Sequence, residues 1–100
     1  MQVQVQSIHF DADQRLISFI EEKLSKLTQF HDRITFGEVF LRIDKSDVHE
    51  NKIAEIKLSI PGKDLFARKQ CRSFEEATDD AVDALKKQIN KAKTKKSSID

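Results

Sequence analysis

The side chains with the clearest chemical potential are lysines in the last quarter of the chain. From Phe74 to Lys96, apolar residues recur every three or four positions, which predicts an amphipathic helix. Its first half is acidic, and its second half carries only basic charges, at Lys86, Lys87, Lys91, Lys93, Lys95 and Lys96. Charge matching to the helix dipole concerns only the terminal turns, so it does not account for six lysines. We interpret them as a surface for an anionic partner.

Helical geometry divides these lysines between two flanks of the apolar stripe. Successive residues are about 100° apart around a helix. One flank therefore carries a ridge of three lysines, Lys87, Lys91 and Lys95, and the opposite flank carries Lys86 and Lys93. Lys23 and Lys26 lie near the edge of an earlier apolar stripe, where a lysine ordinarily extends from the core into solvent. If the two helices pack side by side, we expect Lys23 and Lys26 to join the Lys87 ridge in a basic band, which Lys86 and Lys93 extend.

The sequence contains no pattern for catalysis or metal binding. Two glycines cannot build a phosphate-binding loop or a dinucleotide fingerprint. The three histidines fall at separate predicted element boundaries, and the lone Cys71 is expected to be a small buried hydrophobic residue. The acids at Asp79, Asp80 and Asp83 are interpreted as a solvated helix face. We therefore expect no enzyme, no cofactor, no metal and no small-molecule substrate.

The composition is that of one soluble domain. The chain has 100 residues, of which 38% are hydrophobic and 35% charged, and its net charge is +1. At this length one core is expected. No segment approaches the roughly 18 apolar residues of a membrane span, and the first residues have no signal-peptide pattern. A single cysteine excludes an internal disulfide, so the sequence favours the reducing cytoplasm. The lack of a long apolar segment predicts no membrane association.

Alternating and helical patterns predict the six elements that position the lysines. A strand over 1–7 precedes a helix that starts near Ala12, with Asp11 and Gln14 as a capping box. The last helix has Ser73 as its N-cap, with Glu76 completing a second box. Three further strands are predicted at 34–44 with a bulge at Gly37, at 53–60 before the Pro61-Gly62 turn, and at 65–71.

The order β-α-β-β-β-α predicts an α+β fold with a four-stranded mixed sheet. The first helix is a crossover, so the first two strands should be parallel neighbours, and hairpins should add the other strands antiparallel. Both amphipathic helices should pack on one face of the sheet. The other face is expected to carry Phe40, Arg42, Lys57, Phe66 and Arg68, and to be open unless an oligomer covers it.

Three passages in this order resemble one known family. They are EEKLSKLTQFHDRI over 21–34, IPGKDLFA over 60–67 and DALKKQINKAK over 83–93. The passages are similar to segments of the short ribosome hibernation promoting factors, also called ribosome-associated translation inhibitors or sigma-54 modulation proteins. The similarity extends over residues 1–96, and the family's fold is likened to double-stranded-RNA-binding domains. One departure is Ser73-Phe74-Glu75, where members usually carry Asp-Met-Tyr: Phe74 can fill the apolar role, but a tyrosine hydroxyl is lost.

The resemblance implies a ribosome-binding domain over 1–96, with a frayed end over 97–100 and no C-terminal dimerisation extension. Its partner would be the small ribosomal subunit, including rRNA and ribosomal proteins, bound in the channel for messenger and transfer RNA between head and body. Idle ribosomes would be silenced there in stationary phase or stress, and a second hibernation factor would help to pair them. The implied rRNA-binding residues are Lys23, Lys26, Arg33, Lys86, Lys87, Lys91 and Lys93.

Two other classes of function remain open from the sequence. A general structured-RNA binder would act off the ribosome and would bind free duplex RNA nearly as well as ribosomes. A protein-interaction module that modulates a sigma factor would instead use the exposed sheet face with Phe40 and Phe66. Reversing the charges of Lys87 and Lys91 would leave the function of such a module intact.

Overall fold

The computed structural model describes the backbone of residues 1–99 and the side chains of residues 1–91. The predicted order β-α-β-β-β-α is confirmed. The elements are β1 Gln2–Ser7, α1 Gln14–Ser25, a 3-10 helix Lys26–Gln29, β2 Phe36–Ile43, β3 Lys52–Ile60, β4 Lys63–Cys71 and α2 Phe74–Ile99. Fraying over 97–100 stays a prediction, since Asp100 and the side chains from residue 92 onward lie outside the described residues.

The sheet has the order β1-β2-β3-β4, in which every strand neighbours the next one in the chain. β1 and β2 are parallel because α1 crosses between them, whereas β2 with β3 and β3 with β4 are antiparallel hairpins. One row of inward side chains crosses the whole sheet through Val5, Val39, Ile56 and Ala67. The predicted mixed sheet is therefore confirmed.

Both helices pack on one face of this sheet, as predicted. Ile20 and Leu24 of α1 and Leu85 and Ile89 of α2 are buried together with the inward residues of the strands. Each fully buried aliphatic side chain of this size contributes roughly 1.5–3 kcal/mol. The periodic apolar stripes of the sequence thus fix which side of each helix meets the sheet. In the part of the chain that the structure describes, no helix is both long and apolar enough to cross a membrane.

Gly37 does not form the expected bulge. It continues the regular register, opposite Val3 on β1 and Leu58 on β3. A Cβ atom on Gly37 would lie 3.0 Å from Leu24 Cδ2, which is tighter than ordinary van der Waals contact. The glycine is needed because it lets the buried leucine of α1 approach the β2 backbone closely.

Of the two predicted helix N-caps, one is wrong and one is confirmed. The prediction of Asp11 as the cap of α1 is wrong: Asp13 has extended backbone angles, and its Oδ1 accepts a hydrogen bond of 2.9 Å from Leu16 N. The cap of α2 is confirmed, because Ser73 Oγ accepts from Glu76 N at 3.1 Å. Phe74 is buried and stacks on Phe10 with ring centroids 5.1 Å apart, so it fills the expected apolar role.

The buried hydroxyl of Thr78 on α2 generates a stability prediction. Its side chain is fully buried, and its Oγ1 has no hydrogen-bond partner among the described residues. Because a buried unsatisfied hydroxyl is destabilising, Thr78→Val should raise the free energy of unfolding by about 1 kcal/mol. Urea unfolding followed by circular dichroism measures this change. Thr78→Ser keeps the hydroxyl and loses a methyl group, so it should destabilise; an unstable valine variant would contradict the explanation.

Candidate nucleic-acid interface

A groove of about 430 Å³ lies between α2 on one side and α1 with the 3-10 helix on the other. Apolar side chains of Leu27, Phe30 and Val82 contribute to its lining. The charged lining residues are Lys23, Lys26, Asp79, Asp83 and Lys86. Three lysines therefore converge on one depression, together with two aspartates.

The lysines are held there by the neighbouring apolar residues. Leu24 and Leu27 are buried, so Lys23 and Lys26, which precede them by one position, lie at the boundary of the apolar stripe. On α2, Lys86 follows Val82 by four residues, which puts both on the flank that faces α1. The positions of all three cations are thus consequences of core packing.

Aromatic rings and one carboxylate position two of these ammonium groups. Lys86 Nζ lies 4.9 Å from the centroid of the Phe30 ring, and Lys23 Nζ lies 5.4 Å from that of Phe19. Such cation–π contacts contribute about 0.5–1 kcal/mol at exposed sites. Lys23 Nζ also forms an ion pair of 3.0 Å with Asp79 Oδ1. Both side chains of this pair are about a third to a half exposed, at 34% and 48%, so its effect on stability is small.

Lys26 and Lys86 form no ion pair with any residue that the structure describes. Their charges are therefore available to an external anion. Phosphate groups bound by lysines in this way give an affinity that falls with salt and does not read base sequence. Lys23 differs from the other two because a phosphate would have to share it with Asp79.

The expected grouping of the basic residues needs one correction. Lys87 and Lys91 are exposed, but they do not line the groove. Gln88, next to Lys87, donates a hydrogen bond of 2.8 Å to the carbonyl of Phe66, so this flank of α2 faces β4 and not α1. The lysine of α2 that joins Lys23 and Lys26 is Lys86, from the opposite flank.

Two further predicted site residues lie elsewhere. Arg33 is exposed in the turn after the 3-10 helix, where its backbone N–H donates to His31 Nδ1 at 3.1 Å. Lys93 is on α2, but its side chain lies outside the described residues. The rRNA-binding role of all seven residues stays a prediction.

Sequence reasoning missed Asp79, Asp83 and Phe30 as parts of this site. The sequence favours a solvated helix face for the aspartates, yet both line the groove, and Asp79 pairs with a lysine of the other helix. Their spacing carried a usable signal. Asp79 and Asp83 are four residues apart, and Lys86 follows three residues later, so all three share one helix flank.

The exposed sheet face has a different electrostatic character. Arg42 and Arg68 both donate to the carboxylate of Glu55, at 2.9 and 3.2 Å, and Lys57 lies 3.7 Å from Asp64. Phe66 is 53% exposed on this face, while Phe40 is half-buried. The predicted composition of the face is confirmed. Because its cations are paired with carboxylates, it attracts polyanions less than the groove does.

Residues 3–97 match the family described as sigma 54 modulation protein / S30EA ribosomal protein. The chain belongs to this family. The ribosome hibernation promoting factor of Pseudomonas putida is 30% identical to this chain over 99 residues, covering 99% of this chain and 93% of the relative. The factor of the same name from Escherichia coli K12 is 30% identical over 101 residues, covering 95% and 96%.

Solved structures show the same fold. A ribosomal subunit interface protein from Coxiella burnetii superposes with a TM-score of 0.84 at 22% identity, covering 94% of this chain and 99% of that one. The N-terminal domain of Thermus thermophilus Protein Y gives a TM-score of 0.79 at 22% identity, covering 91% and 98%. At these identities the likeness concerns the fold of the S30EA family.

Cys71, Glu76 and Asp80 form a second cluster, whose potential ligand atoms lie within 4.8 Å of one another. The thiol of Cys71 is 6% exposed and donates to Asp80 Oδ2 at 3.4 Å. Burial, and then the hydrogen bond to Asp80, raise its pKa from 9.0 to about 11. Because nucleophilic attack uses the thiolate, the protonated Cys71 is a poor nucleophile at neutral pH. Cys71 is the small buried residue expected from the sequence.

This raised pKa predicts an unreactive thiol in the folded protein. Alkylation of Cys71 by iodoacetamide should be slow near neutral pH and should keep accelerating up to about pH 11. The folded state holds the proton more tightly than the unfolded chain. The resulting stabilisation is therefore complete below about pH 9.0 and is lost as pH rises through about 11. Asp80→Asn should move the alkylation profile to lower pH. A plateau near pH 9.0 in the folded protein would contradict the assignment.

Proposed function

We propose that this member of the S30EA family binds the small ribosomal subunit in the channel for messenger and transfer RNA and inactivates idle ribosomes there. The observation that carries the proposal is the convergence of Lys23, Lys26 and Lys86 on one groove. The family match over residues 3–97 supports it, as do relatives named ribosome hibernation promoting factors. The mechanism is steric and electrostatic occlusion in the cytoplasm, with no bond made or broken.

The contacts would be made mainly to the phosphate backbone of rRNA. Structured RNA is recognised mostly through its shape and its phosphates, and a groove between two helices offers fixed cations for that purpose. In this proposal Lys26 and Lys86 supply charges that form no ion pair with the side chains described over 1–91. The outer residues Arg33, Lys87, Lys91 and Lys93 would extend the contact, and ribosomal proteins would complete the binding site.

Two features of the physiology follow from the same proposal. The protein would act in stationary phase or under stress, when ribosomes are idle and the channel is empty. A ribosome-binding domain over 1–96 would occupy the channel, and a second hibernation factor would promote pairing of the inactive ribosomes. Neither feature requires a cofactor or a small-molecule substrate.

A general structured-RNA binder is the second candidate, because the same groove would bind the phosphates of a free duplex. The two candidates differ in their preference for the assembled subunit. A hibernation factor gains shape complementarity to the channel, whereas a general binder gains only phosphate contacts. A protein-interaction module would use the opposite face, around the exposed Phe66.

Sedimentation with ribosomes tests the proposal directly. Purified protein mixed with separated subunits should migrate with the small subunit on sucrose gradients. The bound fraction should fall as salt is raised, because the entropy gained by releasing counterions from the RNA becomes smaller at higher salt. Excess duplex RNA distinguishes the second candidate: it should compete weakly with the subunit. Protein that stays at the top of the gradient at every salt concentration would overturn the proposal.

Charge reversal in the groove should weaken subunit binding steeply. Lys26→Glu with Lys86→Glu should lower the affinity by about 100-fold, taking about 1.4 kcal/mol for each lost phosphate contact. Lys87→Glu with Lys91→Glu should also weaken binding, because those residues extend the contact. The matched control is Lys45→Glu with Lys69→Glu, which changes the net charge equally at exposed positions outside the groove. Wild-type affinity of the groove variant, with an unchanged circular dichroism spectrum, would disprove the electrostatic mechanism.

A further inference from the structure

The acidic part of the groove is not explained by attraction of RNA. A surface that bound polyanions as tightly as possible would have no carboxylates among its lysines. This groove contains three lysines and two aspartates, so its net charge is only +1. Moreover, one aspartate is in direct contact with a lysine: Asp79 Oδ1 lies 3.0 Å from Lys23 Nζ.

The ion pair has two opposing effects on a phosphate that enters the groove. Asp79 repels the phosphate and shares the charge of Lys23, which lowers the affinity. The same contact, with the Phe19 ring 5.4 Å from Lys23 Nζ, holds the ammonium group in one position. A target whose phosphate already stands at the matching position benefits from this order, since less side-chain entropy is lost on binding. A flexible or poorly matched RNA experiences only the repulsion.

We propose that Asp79 is a specificity-determining residue, which weakens binding to free RNA while it positions Lys23 for a rigid, shape-matched RNA surface. This inference rests on the proposed function, because it concerns the same groove. It is a case in which discrimination arises from a repulsive element placed against the wrong partner. The exposure of both side chains allows the pair to be exchanged for a phosphate contact without opening the core.

The first test compares Asp79→Asn with the unchanged full chain on a short duplex RNA. Removal of one repelling charge next to the phosphate should raise the affinity about fivefold, and the salt dependence should steepen by about one further neutralised phosphate. Affinity for the small subunit should change much less, because lost positioning of Lys23 offsets the lost repulsion. The ratio of subunit affinity to duplex affinity should therefore fall about fivefold.

Asp80→Asn is the matched control. It is the same substitution one position along, and Asp80 contacts Cys71 instead of the groove. Lys23→Met provides the second control, because it removes the positioned cation: Asp79→Asn should then raise duplex binding and subunit binding alike and leave the ratio of the two affinities unchanged. Equal effects of Asp79→Asn and Asp80→Asn, or the same fall in the affinity ratio with and without Lys23, would show a general charge effect and overturn the inference.

The two hypotheses fail in different measurements. If the unchanged protein does not bind the small subunit, the proposed function is wrong, and the discriminating role of Asp79 fails with it. If the unchanged protein prefers the subunit and Asp79→Asn leaves that preference intact, only the role of Asp79 is wrong. Circular dichroism of every variant should show the spectrum of the unchanged protein. A change in binding can then be distinguished from a change in folding.

Discussion

Everything in the candidate site depends on the lateral contact between the two helices. Strands in a sheet are about 4.8 Å apart, so four of them provide a surface only slightly wider than two helices packed at about 8–10 Å. Both amphipathic helices must bury their stripes on that one surface, and they are therefore forced against each other. Leu27 and Val82, from the two sides of this contact, line the groove. The groove is the depression that remains between two helices packed side by side on a sheet.

The same contact concentrates charges that the sequence distributes widely. Lys23, Lys26 and Lys86 come together although about 60 residues separate the first two from the third. Their mutual repulsion is reduced by Asp79 and by aromatic rings beneath two of the ammonium groups. On the opposite face of the sheet, Glu55 binds both arginines, so that face has no comparable surplus of positive charge. A chain with a net charge of +1 thus presents one face that suits polyanions.

Most of the fold could be predicted because its signals are local. Alternation in the strands, the helical spacing of Leu85 and Ile89 and the Ser73 cap each involve a few neighbouring residues. The two wrong predictions, the N-cap at Asp11 and the bulge at Gly37, have equally specific causes. Asp11 and Asp13 both suit an N-cap, and backbone geometry at Asp13 decided between them. Gly37 indicated an irregular strand, whereas it accommodates Leu24 from a helix distant in sequence.

For the site, the sequence by itself determined the residue types and their arrangement on each helix. It separated Lys86 from the ridge of Lys87 and Lys91, and it located Lys23 and Lys26 at the edge of their stripe. Only the tertiary structure decided which flank of α2 faces α1, because helical periodicity is the same whichever side a neighbouring helix occupies. That choice put Lys86 into the groove and paired Asp79 with Lys23. The tertiary structure also brought Asp80 to the Cys71 thiol, where burial and this hydrogen bond raise the pKa of the thiol. Contacts between distant segments decide which charges pair, and periodicity along one segment does not show which other segment will supply the partner.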